Sequence, residues 1–179
     1  MKIARIVLAL ILLVVALAPE VTRYRAEREL RRLTSVAMLA ASGRLPMPTA
    51  GALLSDVSRK LEQLAQSMPG DSRPRIYAGS AALVLQDRER AVALYLDALE
   101  CGERGETVVN LGRALASMED SRAEPLFVRA VWVSPGLIDS VPEAYRERVR
   151  REIVRRSTSA AVAEPPRLPV LPLQDAVHD

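Results

Sequence analysis

The residues that could carry chemistry are few. The one histidine, His178, lies in a proline-rich stretch that cannot sustain a helix, so no imidazole is available as a positioned base in a folded part. The one cysteine, Cys101, has no histidine to activate it. A lone thiol of this kind is more often structural than nucleophilic, and it excludes an intramolecular disulfide while leaving the redox compartment open. There is no glycine-rich phosphate loop with its lysine, and no set of His, Cys or carboxylate residues at metal-ligand spacing. The sequence therefore predicts a protein that is not an enzyme and uses no cofactor and no metal. What is left is recognition by surfaces. The chain is 49% hydrophobic but only 3% aromatic, a composition led by Ala and Leu that favours helix over sheet. Its formal charge of +3 comes from Arg interleaved with Glu, so no nucleic-acid partner is expected.

The helices that would present such a surface centre on residues 73–135. Gly79 aligns with Gly112, Ala91 with Ala123, Tyr95 with Phe127 and Ala98 with Ala130, each pair about 33 residues apart. Glycine inside an amphipathic helix costs about 1 kcal/mol relative to Ala, so Gly79 and Gly112 call for a packing reason. Close approach supplies one. A second helix can lie directly against the first where the side chain is missing, Ala91 or Ala123 is the small residue that meets it, and Tyr95 or Phe127 fills the gap to the next helix.

This order resembles the tetratricopeptide repeat, whose first helix carries Leu-Gly and whose second carries Ala, an aromatic, Ala and a closing Pro. Asn110-Leu111-Gly112 with Ala123, Phe127, Ala130 and Pro135 match that pattern in the second unit; Ala78-Gly79, Ala91, Tyr95 and Ala98 match it in the first, which ends at Cys101-Gly102 with no closing Pro. The second unit has one residue fewer in its inter-helix turn. The resemblance implies an all-α array of antiparallel helix pairs whose first helices line a groove. Arg73, Ile76, Ser80 and Leu83 would come from one repeat and Glu106, Val109, Asn110 and Arg113 from the next. It does not imply the carboxylate clamp of some family members, because Ile76 and Ser80 stand where a Lys and an Asn would be needed.

The amino-terminal part reads as an anchor. A basic start is followed by an unbroken apolar run over residues 6–18, which Ile3, Ala4 and Val21 extend toward the roughly 20 residues that span a bilayer. Ala16-Leu17-Ala18 has the form that signal peptidase reads, but Pro19 follows it, and an uncleaved signal anchor over residues 1–22 is expected. Orientation stays open. The short basic start argues for an inside amino terminus, whereas Arg23, Arg25, Arg28, Arg31 and Arg32 argue the reverse. The expectation is a single pass of the inner (cytoplasmic) membrane through residues 3–21, with the domain in the periplasm.

Between anchor and repeats, residues 23–70 read as a degenerate helical hairpin. Leu30, Leu33, Ala37 and Ala40 mark its first helix, Pro46 and Pro48 interrupt it, and a second helix capped by Thr49 carries Leu54, Val57, Leu61 and Leu64. Two repeats then fill residues 71–136. Ser140 and Glu143 frame a capping box that opens a last helix within residues 137–157, with an apolar stripe of Tyr145, Val149 and Ile153 to cover the array. Residues 158–179 are a proline-rich tail, expected to be disordered, whose prolines could also present a polyproline surface. These features together predict a membrane-anchored scaffold that binds a protein or peptide of a cell-envelope assembly. An assembly or maturation factor for an envelope enzyme or secreted component is the alternative.

Overall fold

A computed structural model describes the backbone of residues 2–158 and 166–169, and the side chains among these from residue 15 onward. It is all-α. Helices α1 (Lys2–Ala41), α2 (Met47–Ser67), α3 (Arg73–Val84), α4 (Arg88–Glu100), α5 (Gly105–Ser117), α6 (Ala123–Val133) and α7 (Glu143–Thr158) are joined by short turns, with a 3-10 helix over Pro135–Ser140, and there is no strand among the described residues.

Helix α1 carries Pro19 inside it and continues unbroken into the folded part. Among the described residues no helix is long and apolar enough to cross a membrane. Most of the apolar run expected to anchor the chain lies within residues 1–14, whose side chains are outside the described set. Helix α2 begins at Met47, earlier than Thr49 would have it, with Pro48 in its first turn and no side-chain cap. A proline is harmless there because its missing amide would have no partner in the helix.

Each helix packs on the one before and the one after it. In addition the backbones of α1 and α3 and of α3 and α5 come close, whereas among the described residues those of α2, α4 and α6 do not, and α2 and α4 are joined by an ion pair of Glu62 with Arg90. The stack therefore curves, with α1, α3 and α5 on its inner side. The main core runs through it from Leu30 and Leu33 through Leu61, Ala82, Tyr95, Leu111 and Phe127 to Val149 of α7, and a small second cluster of Ala40, Leu54 and Ala81 joins α1, α2 and α3.

Two close approaches set the spacing of the central helices. A Cβ placed on Gly79 would lie 2.9 Å from Cε1 of Tyr95, and one on Gly112 would lie 2.7 Å from Cε1 of Phe127, so neither position admits even alanine without movement. Ala91, Ala98, Ala123 and Ala130 are fully buried around these rings. Pro135 is exposed and opens the 3-10 helix, in whose first turn its missing amide is harmless.

The turns inside the two pairs start alike. Gln86 and Glu119 both take left-handed φ, 64° and 57°. In each case the next amide reaches back to the helix, Asp87 N to Ala82 O and Asp120 N to Leu115 O at 3.0 Å, which closes a Schellman motif. They then diverge. Ala91 N donates to Asp87 O, four residues back, but Ala123 N donates to Asp120 O, three back. The residue missing from the second unit has thus been removed between Asp120 and Ala123, just ahead of α6.

Candidate interaction groove

On the inner side, α1 and α3 face each other across a shallow groove of about 190 Å³. Helix α1 contributes Thr34, Ala37, Met38 and Ala41; helix α3 contributes Tyr77, Ser80, Ala81 and Val84. Both sets follow the same spacing of three, four and seven residues, which is one helical face. Leu54 of α2 closes the floor. Met38 is 66% exposed and Val84 53%, so two large apolar side chains stand open at the rim among the described residues.

Three hydroxyls line the groove, and those of Thr34 and Ser80 are already committed, while that of Tyr77 makes no hydrogen bond among the described residues. Thr34 Oγ1 donates to Leu30 O at 2.8 Å. Ser80 Oγ donates its single proton to Ile76 O at 2.9 Å, so the contact of 3.0 Å between Ser80 Oγ and the Tyr95 hydroxyl must be a donation from the phenol. Burial pushes the Tyr95 phenol above its usual range, against a smaller opposing effect of the Ser80 contact, and keeps that proton in place. What the groove offers is therefore mainly apolar surface, with the Tyr77 hydroxyl as its one uncommitted side-chain hydroxyl among the described residues.

The sequence-predicted surface is only partly brought together here. Ser80 lines the groove. Ile76 and Leu83 are half-buried against the core, and the exposed position is Val84, one residue further round the helix. Val109, expected at the groove, is 3% exposed and belongs to the core, because α5 is packed against α4 and α6 and also touches α3. Glu106 is exposed. Arg113 turns away: its Nε donates to Ser140 O at 2.9 Å and its Nη1 to Asn110 Oδ1 at 3.4 Å, tying α5 to the end of the 3-10 helix. Sequence reasoning missed the whole α1 wall. The available signal was the series Thr34, Ala37, Met38 and Ala41 beside the buried stripe.

Arg73 stands elsewhere, in an open, charged cleft of about 1090 Å³ where α1 meets the α2–α3 turn. Its Nη2 is 2.6 Å from Asp71 Oδ2 and 2.7 Å from Glu27 Oε2. The hydrogen bond from Arg73 holds both carboxyls below their ordinary values. Cys101 is half-buried, its thiol 3.3 Å from Pro69 O and 3.5 Å from Arg75 Nη1. Among the described residues no group of His, Cys, Asp and Glu is placed to hold a metal ion.

Helix α7 closes the far end. Val149 is fully buried, and the Tyr145 ring lies 5.1 Å from that of Phe127, tilted by 59°. Arg148 sits over Tyr145 and pairs with Glu124 at 2.8 Å, while Arg155 and Arg156 both bond Glu152. Much of the arginine on this helix is thus spent within the fold.

In comparisons with known proteins, no family model, no curated protein and no solved structure matches this chain.

Proposed function

We propose that this chain is a tetratricopeptide-like, membrane-anchored scaffold that holds a peptide segment of another cell-envelope protein in the α1–α3 groove. The observation that carries the proposal is a groove lined mostly by apolar side chains, with Thr34 and Ser80 internally bonded and Met38 and Val84 exposed at its rim, a surface suited to apolar side chains of a partner. Support for the repeat reading comes from the glycine-to-aromatic contact and the Schellman turn that recur in α3–α4 and α5–α6. Support for the anchor is the apolar run on a helix that also forms one wall of the groove, which would keep the site close to an inner membrane with the domain on the periplasmic side. Such tethering raises effective concentration for membrane-bound partners, which suits a small surface of modest affinity. The role is binding rather than catalysis.

The test is co-purification from detergent-solubilised membranes with the full chain and a Met38→Glu, Val84→Glu double variant. The charges should remove the co-purifying protein without lowering the melting temperature, since both positions are solvent-exposed. Retention of the same protein by the double variant would overturn the groove assignment. Recovery of the full chain without detergent would overturn the anchor.

A further inference from the structure

Pro166 is buried against the folded part, although it belongs to a stretch expected to run free. Its carbonyl accepts a hydrogen bond from Nη1 of Arg129 at 3.0 Å. The side chain of Arg129 is 17% exposed, and its Nε and Nη2 are held by the two carboxylate oxygens of Glu103 at 2.6 and 2.7 Å. That bidentate grip fixes the guanidinium plane and leaves Nη1 aimed at a main-chain acceptor. Proline segments suit such a donor. They have no amide to offer, their carbonyls are left unpaired in the extended conformation, and their rings pack on apolar surface. Beside Pro166 and Arg167 lies a cleft of about 390 Å³ between α6 and α7, with Pro125 and Val128 on the α6 side and Glu152 and Arg156 on the α7 side. The tail therefore leaves room for more chain of the same kind.

We propose that the α6–α7 face is a recognition site for an extended proline-rich peptide, and that residues 166–169 occupy it in cis. The site is separate from the α1–α3 groove and does not depend on it. Being tethered a few residues beyond α7, the tail competes at high effective concentration, so a peptide of the same chemistry supplied from outside binds only when the tail is disabled.

The probe is a fluorescent synthetic peptide with the sequence of residues 165–172, titrated by anisotropy into three full-length proteins in detergent. These are the unmodified chain, a Pro166→Asp, Leu168→Asp variant whose own tail no longer fits, and that variant with Arg129→Ala added. The tail-disabled chain should bind the peptide roughly tenfold or more tightly than the unmodified chain, and adding Arg129→Ala should abolish binding. Should Arg129→Ala fail to fold, Glu103→Gln, which frees the guanidinium without removing it, should weaken binding in its place. No binding to the tail-disabled chain, equal binding to it and to the unmodified chain, or binding unaffected by both Arg129→Ala and Glu103→Gln would each overturn the proposal.

Discussion

In the pair α3–α4 the Tyr95 ring lies against Gly79 and its hydroxyl reaches Ser80, the residue that follows that glycine. In α5–α6 the Phe127 ring lies against Gly112, but the next residue is Arg113, whose guanidinium is committed to Ser140 O and Asn110. The contact is shared and the finish differs. The first pair spends its hydroxyl on Ser80 and so leaves an apolar groove beside α1, while the second hands a hydroxyl-free ring to Tyr145 of the closing helix. One arrangement thus leaves an open apolar face at one end and a covered end at the other.

Removing the second ring should do the most damage. Phe127→Ala is expected to cost about 3–5 kcal/mol in chemical denaturation, because the ring is fully buried and also seats α7. A much smaller loss would mean that α7 is not held through this contact.

The glycines come next. Gly79→Ala and Gly112→Ala should each destabilise by about 1–3 kcal/mol despite the better helix propensity of alanine, since both rings are enclosed and cannot withdraw. Gly70→Ala, which meets nothing within 4 Å, is the reference and should be near neutral. Equal melting temperatures for all three would break the close-approach account.

Exchanging the rings sharpens the contrast. Tyr95→Phe should cost about 0.5–1.5 kcal/mol for the lost bond to Ser80, whereas Phe127→Tyr adds a hydroxyl to a fully buried ring already tight against Gly112 and should cost about 1–3 kcal/mol. If both swaps cost the same, the neighbours do not decide the finish.

The smallest effect concerns the shortened turn. Asp120 Oδ1 accepts the Arg122 amide at 2.8 Å and the Arg122 guanidinium at 2.9 Å, which secures the start of α6 where a residue is missing. The matching Asp87 makes no side-chain cap bond. Asp120→Asn should therefore cost about 1 kcal/mol or less and Asp87→Asn only a few tenths. The hydrogen bonds from Arg122 depress the Asp120 carboxyl to about 2 from 3.8. Its contribution is then complete above the unfolded value and is lost as pH falls from 3.8 toward about 2, so Asp120→Asn should flatten the melting-temperature profile in that window.

These details also show what a sequence can carry. That Gly79 and Gly112 need a close neighbour follows from spacing, because a glycine in a helix interior calls for a packing reason; that the neighbour is the ring of Tyr95 or Phe127 rather than Ala91 or Ala123 does not, since the direction of a ring is set by the packing around it. The left-handed Gln86 and Glu119 do not announce themselves, since neither residue type prefers that conformation and only the Schellman closure requires it. The groove face on α3 lies one residue further round than Arg73, Ile76, Ser80 and Leu83 suggested, because α1 supplies the opposite wall and the packing of α1 on α3 decides which positions remain open. Val109 was misplaced for a similar reason: the spacing of Glu106, Val109, Asn110 and Arg113 gives a face but not the direction of the core. The seating of Pro166 on Arg129 depends on a charge pair between α6 and the loop before α5, a contact between distant parts of the chain that local pattern does not contain.

The most direct test of the account is photo-crosslinking in intact cells with a benzophenone side chain placed singly at Met38 or at Asn110 of the full chain. A groove open at α1–α3 and closed at α5 predicts a discrete adduct with one envelope protein from Met38 and none from Asn110. An adduct from Asn110 with none from Met38 would contradict it.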